Sequence, residues 1–425
     1  VVDTTGLDAG RRATYLAAAR SASATAVAVK FSTSAAECRR RNRMRRHPVP
    51  TKALDTMIAA ARRVELDDEG WDLVLEPAPV RTVTKKLAPA VAAMTDDGVD
   101  TRAGMSQVAS LRFGLLVSDV SWVGDASPVG PELARLAREA EAVGFDSLWM
   151  MDHLVQIPQV GRPWDPVLDP YATLAHVAAA TERIRLGVLV SPVTFRHVVL
   201  LAKSIATLDV LSGGRAIAGI GAGSSPAEHG AFAIPFGSPA ERLALLRDTA
   251  LALRALLGPG GGRFDGEVIQ LPDTALYPRP IQDPVPLVVG GSGDRTLRVA
   301  AEVADACNLF GDPDTVASRV DALRRHAEEL GRDPAEIEAT HLGSMLLGAG
   351  PDDLRDRIER LRPGNLGPDR FAERAGAGTV DDHEASFRRF AAAGVDLAVV
   401  SLPDAGQTGA LTPFADLIGR FHRTH

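Results

Sequence analysis

The chain has 425 residues, of which 45% are apolar and only 5% aromatic, and a net charge of −7. That apolar content supports a sizeable core, and the acidic balance excludes general nucleic-acid binding. No run of about 18 apolar residues occurs, so neither a membrane span nor a membrane partner is expected.

The opening VVDTTGLDAGRR turns polar too soon for a signal peptide, and the two cysteines, Cys38 and Cys307, offer no disulfide framework or zinc site. A reducing, cytoplasmic location is therefore expected. The length predicts two or three domains, or one large barrel with an extension. Charge is split unevenly: residues 1–105 hold 17 basic and 13 acidic residues, a net +4, against 30 and 41, a net −11, in the remainder. That split suggests two pieces of different origin.

In chain order, Val1-Val2-Asp3 reads as the end of a buried strand, residues 9–20 as a helix and 24–31 as a second strand. A helix over 34–46 carries Arg39, Arg40, Arg41, Arg43, Arg45 and Arg46; Pro48-Val49-Pro50 ends it, and another helix covers 54–63. The segments VVDTTGL, AVAVKF and CRRRNRMRRHPVP resemble the C-terminal half of small P-loop kinases of the polynucleotide-kinase-like type, over residues 1–77. In those kinases an arginine-rich lid closes over the nucleotide phosphates. No GxxxxGK[ST] occurs in the chain, so the loop that cradles phosphates is expected ahead of Val1, and no ATP turnover is expected of this chain. The arginine run then reads as a solvated helix face. Residues 78–108 mix Pro, Thr, Asp and Gly with weak periodicity and read as a linker, with Met105 just before the second piece.

The second piece opens with an apolar strand at 111–117, a loop, and an amphipathic helix over 132–143 ended by Gly144. A second strand, 145–151, finishes at Asp152-His153, and a helix covers 171–180. The Val- and Leu-rich run 184–190 is a third strand, broken by Ser191-Pro192. Helical spacing over 197–211 stops at Ser212-Gly213-Gly214, and a fourth strand, 216–220, runs into Gly221-Ala222-Gly223. This unit is a parallel crossover, with Ser191 and those glycines beyond the carboxyl ends of its strands, where ligands gather. A long helix over 242–257 follows, then a Gly- and Pro-rich stretch. A fifth strand at 287–289 ends in Gly290-Gly291-Ser292-Gly293. After a helix at 296–303 come strand six (306–310), a helix (314–329), strand seven near 341–347, helices at 351–361 and 384–393, and strand eight (397–402). Eight buried strands with helices between them predict an α/β fold: a (β/α)8 TIM barrel with insertions, preceded by a small α/β fragment. A doubly wound open sheet is the alternative.

Over residues 111–403 the motifs AREAEAVGFDSLWMMDH, RLGVLVSPVTFRH, AKSIATLDVLSGGRAIAGIGAG, FDGEVIQL and PLVVGGSG, in this order, resemble the bacterial-luciferase-like flavin and deazaflavin oxidoreductases. The Asp-His pair and the Thr-Phe-Arg run resemble the branch that uses coenzyme F420, a deazaflavin, more than the FMN branch. The implied division is a kinase-like fragment at 1–77, a linker at 78–108 and a luciferase-like barrel at 109–425. The implied activity is hydride transfer between F420 and a small organic substrate. An FMN-dependent monooxygenase is the alternative, and a non-enzymatic fusion acting as a binding module is the third reading. A homodimer is one assembly open to it.

The resemblance assigns residues as follows. Asp152 and His153 lie beside the reactive ring, and His153 is the candidate for proton transfer near the hydride-accepting carbon, work suited to an imidazole at neutral pH. Residues 188–191 match a bulge that supports one face of the ring, with a non-proline cis peptide expected near Val188-Leu189 and a hydroxyl offered by Ser191. Gly290, Gly291, Ser292 and Gly293 lead into a helix start, which suits the cofactor phosphate; Arg295 and Arg298 stand nearby. Glu228 matches an acidic position frequent in the family and is the second catalytic candidate. The carboxylate of a sugar-phosphate-oxidising relative falls on Ser224, so that substrate is not implied. His197 and His229 are not expected to be catalytic, and no metal site is expected, since no His/Asp/Glu cluster has ligand spacing.

Overall fold

The computed structural model describes residues 111–121, 129–259, 262–363 and 366–422, together with two short strands and a few single positions nearer the N-terminus. The chain divides into two units, Val1–Ala103 and Gly104–His425. In the first, β1 (Val27–Val29) and β2 (Leu73–Leu75) pair in parallel, and β1 falls inside the strand expected at 24–31. The arginine-rich helix and the linker lie outside the described residues.

The second unit is built on β3 (Arg112–Val117), β4 (Ser147–Met150), β5 (Arg185–Val188), a short β6 (Ser191–Pro192) and β7 (Ala216–Gly221). A small hairpin, β8 (Phe264–Asp265) and β9 (Gln270–Leu271), precedes β10 (Leu287–Gly290), β11 (Ala306–Leu309) and β12 (Glu338–Ser344). After β12 come β13 (Leu346–Gly348), β14 (Ala377–Thr379) and β15 (Leu397–Ser401). Eight of these form a parallel ring in the order β3, β4, β5, β7, β10, β11, β12, β15, and β15 pairs back onto β3. The ring closes without an edge, so the fold is a TIM barrel and not a doubly wound open sheet.

Two apolar layers hold the ring. Outside it, strand residues such as Phe113, Leu115, Leu148 and Leu186 pack against helix residues such as Leu136, Leu174, Leu201 and Leu253. Inside it, Leu116, Trp149, Leu189, Ile217, Val288, Ala306, Leu397 and Val399 fill the barrel. Trp149 is the largest of these, and its Nε1 donates to Ser147 Oγ at 2.9 Å. Room for the ring comes from glycines on both neighbouring strands. A Cβ at Gly187 would stand 2.4 Å from the indole, and one at Gly114 would stand 2.8 Å from its Nε1. Gly187 is the residue paired with Trp149 across β4 and β5.

Helices form where caps and periodicity agree. The helix Pro239–Leu257 starts three residues before the expected Arg242, because Ser238 and Glu241 close a capping box around Pro239. The expected seventh strand at 341–347 is displaced. β12 ends at Ser344, and Leu346–Gly348 pairs instead with β14, in a small parallel sheet of its own. The displacement has a polar cause: Thr340 of β12 is buried by donating to Asn308 Oδ1 at 3.0 Å, so this strand lacks an apolar run. Cys307 of β11 is fully buried, its thiol turned toward the carbonyl of Gly291 at 3.8 Å; burial pushes that thiol up to about 12. Among the described residues, no helix is long and apolar enough to cross a membrane.

Candidate active site

All ring strands run in parallel, so their carboxyl ends open on one mouth, and the ends of β4, β5, β7 and β10 with the segments that follow them carry every candidate residue. Neighbouring strands stand about 4.8 Å apart, so β4 and β10, separated by β5 and β7, span roughly 14 Å of the rim.

β4 runs out into Asp152 and His153. The Asp152 side chain is 2% exposed, and its oxygens accept from Arg196 Nε at 3.1 Å and Nη2 at 3.0 Å in a bidentate fork. It also accepts from Ser191 Oγ at 2.8 Å. With its proton on Asp152, Ser191 accepts in turn from Tyr171, whose hydroxyl lies 2.9 Å away. Arg196 reaches further, to Asp169 Oδ2 at 2.7 Å, and stacks over the Tyr171 ring at 5.0 Å. Asp169 caps the helix Pro170–Ala178 and so locks its start to the same cluster. Burial pushes the Arg196 guanidinium down, but the hydrogen bonds it donates to Asp152 and Asp169 outweigh that and raise it above its ordinary value. Burial drives the Tyr171 phenol upward, so it keeps the proton that it donates to Ser191. Asp152 and Ser191 thus form the wall behind the mouth, with their polar atoms engaged inside it.

His153 faces outward from that wall. Its ring Nδ1 lies 3.0 Å from Glu228 Oε2, and the Glu228 side chain is 2% exposed. The other oxygen, Oε1, accepts from the backbone N–H groups of Leu154, in a short contact, and of Val155 at 3.3 Å. Glu228 sits in the helix Pro226–Ala231, which Ser225 caps. The next residue, His229, is buried between Phe195 and Phe236, with ring centroids at 4.8 and 4.5 Å. It donates from Nδ1 to the Ser225 carbonyl at 2.7 Å, and Thr194 Oγ1 stands 2.6 Å from its Nε2. His197 caps the helix Val198–Ser212.

The bulge lies at the end of β5. Val188 packs outward, while Leu189 joins the interior cluster. The non-proline cis peptide is Leu189–Val190, one residue beyond the expected position. Leu189 N still donates to Met150 O at 2.9 Å, so pairing with β4 continues through Leu189, and the turn toward β7 comes only after it. Val190 occupies space left by two glycines: a Cβ at Gly221 would stand 2.6 Å from one of its methyls, and one at Gly290 would stand 2.8 Å from the other.

The loop after β10 is the candidate anion site. Gly291 has φ +141°, and a Cβ there would meet Thr296 Cγ2 at 2.9 Å. Gly293, at the start of the helix Asp294–Val303, supplies no side-chain cap; its carbonyl takes the N–H groups of Thr296 and Leu297 at 2.8 and 3.0 Å, which leaves the amides of Asp294 and Arg295 as the ones that could face an anion. Ser292 Oγ accepts from Phe310 N at 3.2 Å and ties the loop to the end of β11. Arg298 pairs with Glu329 at 2.9 Å on the outer face, and Arg295 is exposed.

Arg196, Tyr171, Asp169 and the Thr194–His229 pair were not among the expected site residues. The visible signals were the Thr-Phe-Arg run and the Asp-Pro-Tyr helix start; their partnership spans 20 to 44 residues.

Comparison with known proteins gives a consistent result. Residues 111–406 match the family described as luciferase-like monooxygenase, and residues 1–64 match one described as an AAA domain, in keeping with the P-loop resemblance of that segment. A protein of Kineococcus radiotolerans named F420-dependent glucose-6-phosphate dehydrogenase is 34% identical over 218 residues, which is 49% of this chain and 62% of that protein. One of the same name from Nakamurella multipartita is 33% identical over 248 residues, covering 54% and 65%. The chain thus spans somewhat under two thirds of these relatives' length. Among solved structures, an F420-dependent secondary alcohol dehydrogenase bound to an F420-acetone adduct superposes with a TM-score of 0.60 at 19% identity, over 74% of this chain and all of that one. A monooxygenase from Streptomyces bottropensis gives 0.61 at 21% identity, again over 74% of this chain and all of that one. At these identities the two structures share the fold.

Proposed function

Because the chain belongs to the luciferase-like monooxygenase family through residues 111–406, we propose that it is an F420-dependent oxidoreductase acting on a small organic substrate at the barrel mouth. The observation that carries the reading is the outward-facing His153, with Nδ1 on Glu228, on the same rim as the bulge after β5 and the glycine loop after β10. The F420 names of the relatives support it.

When bound, the deazaflavin supplies the hydride-accepting carbon. The chain's residues do the rest. Val190, backed by Gly221 and Gly290, supports the flat ring. Gly290 and Gly291 leave room for the phosphate, with Gly290 held in β10 and the Gly291 N–H given to the Asn308 carbonyl at 3.2 Å. Ser292, Gly293 and the start of the following helix would present the backbone N–H groups. Asp152, Arg196 and Ser191 hold the wall from which His153 projects, and His153 Nε2 exchanges the substrate's proton. Ser224 stands where the sugar-phosphate-oxidising relative carries a carboxylate, so we place the substrate outside that class.

A cofactor titration tests the reading. The full chain is expected to bind F420 at least tenfold more tightly than FMN, about 1.4 kcal/mol. A tenfold preference for FMN would replace the reading with an FMN-dependent monooxygenase.

We also propose that residues 1–77 are a separate module joined by the linker 78–108. A chain beginning at Met105 is then expected to keep its F420 affinity within about twofold, a difference under 0.5 kcal/mol. Loss of folding or of affinity in that shortened chain would make the N-terminal piece part of the barrel.

A further inference from the structure

We infer that Glu228 is a positioning residue that acts through His153, and not a proton donor to substrate; this rests on the reading of His153 given above. The carboxylate is engaged on all sides by one short segment. Oε2 takes the Nδ1–H of His153, and Oε1 takes the N–H groups of Leu154 and Val155. Its side chain is 2% exposed, against 22% for His153, so the imidazole stands between Glu228 and the open mouth. A carboxylate placed behind a histidine in this way is an acceptor only, so it settles which ring nitrogen carries the hydrogen.

The consequence is a fixed polarity. With Nδ1–H on Glu228, the neutral ring has its lone pair on Nε2, the nitrogen away from the clamp. His153 then meets a substrate as an acceptor, and when Nε2 takes a proton the carboxylate faces the charge that develops. The same logic holds in serine-protease triads, where the wrong histidine tautomer costs about 10⁴ in turnover. The two backbone contacts add a second effect: the backbone after His153 is fixed by the same group that orients the ring.

Position in the chain supports the assignment. Glu228 lies in the first turn of the helix Pro226–Ala231, with its own N–H bonded to Ser225 Oγ at 3.3 Å. His229 is anchored to the same helix start, through the Ser225 carbonyl. The clamp is thus set on a backbone that is itself held.

Nitrogen NMR of the full chain labelled with ¹⁵N-histidine tests this without substrate or cofactor, so failure of the F420 titration leaves it intact. The His153 signals are assigned by difference against His153→Asn. The wild-type neutral ring is expected to show Nδ1 protonated and Nε2 bare. Glu228→Gln keeps one oxygen for the backbone amides but turns an NH2 group toward the ring, so the tautomer is expected to invert. Glu228→Asp keeps an acceptor and is expected to retain the wild-type tautomer. With a substrate that the wild type turns over, Glu228→Gln is expected to lower kcat about 100-fold or more and to add nothing in a His153→Asn background. A wild-type ring with Nε2 protonated, an unchanged tautomer in Glu228→Gln, or additive losses in the double variant would each overturn the assignment. The wild-type spectrum, with the His153→Asn difference, decides even if a Glu228 variant does not fold.

Discussion

Replacing His153 by Ala is expected to lower kcat/KM by about 10²–10⁴, the usual worth of a positioned acid or base. The deazaflavin affinity should change far less. The groups proposed to hold the cofactor, Val190 against Gly221 and Gly290 and the amides of the loop after β10, are separate from the His153 side chain. Titration and turnover measured on one preparation therefore separate two roles. A histidine needed only for the fold would lose stability, binding and turnover together. His153→Asn is the control, because it keeps a polar group of similar reach without a basic ring nitrogen. Near wild-type turnover of the Asn variant from about pH 6 to about pH 9 would exclude proton transfer by this residue.

Trp149→Ala is expected to destabilise the barrel by about 3–5 kcal/mol, the range for removing a fully buried large aromatic. Trp149 is 1% exposed and is the largest side chain of the interior cluster. The neighbours cannot collapse into the gap, because Gly114 and Gly187 have no side chains to move and both belong to paired strands. Thermal unfolding should fall by roughly 10 °C. Trp149→Phe keeps a ring but gives up the bond to Ser147 Oγ, and should cost less, about 1–3 kcal/mol. Denaturant unfolding of the three proteins checks the order. A loss below about 1 kcal/mol in Trp149→Ala would mean that the interior repacks.

Most of the barrel is legible in the sequence because parallel strands buried on both faces must be apolar runs. The runs at 111–117, 216–220 and 397–402 each hold their observed strand to within a residue. β12 is less legible, since Thr340 is buried by a hydrogen bond and the apolar Leu346 and Leu347 belong to another sheet. The helices Pro226–Ala231 and Pro368–Ala375 escape notice because one turn or two gives periodicity little to repeat. At the site, His153 and Glu228 are nameable from motifs, but their bond, across 75 residues, is not. The Arg196 network is hidden for the same reason: a sequence shows which charges exist, and only the folded ring shows which ones meet. Arg298 illustrates the converse, since nearness in sequence to the glycine loop leaves it paired with Glu329 on the outer face.

The buried Cys307 gives the rim a clock. Its sulfur sits 3.8 Å from the carbonyl of Gly291, in the apolar layer that joins the ring to its helices, and burial keeps the thiol protonated at ordinary pH. A thiol reagent can reach it only when this layer between the ring and its helices opens, and only the ionised thiol reacts. The alkylation rate of Cys307, read by peptide mapping against a free thiol at the same pH, therefore counts how often this part of the barrel opens. A ligand that grips the glycine loop would slow the count, so one unreactive sulfur reports occupancy of the rim with no optical label and no turnover.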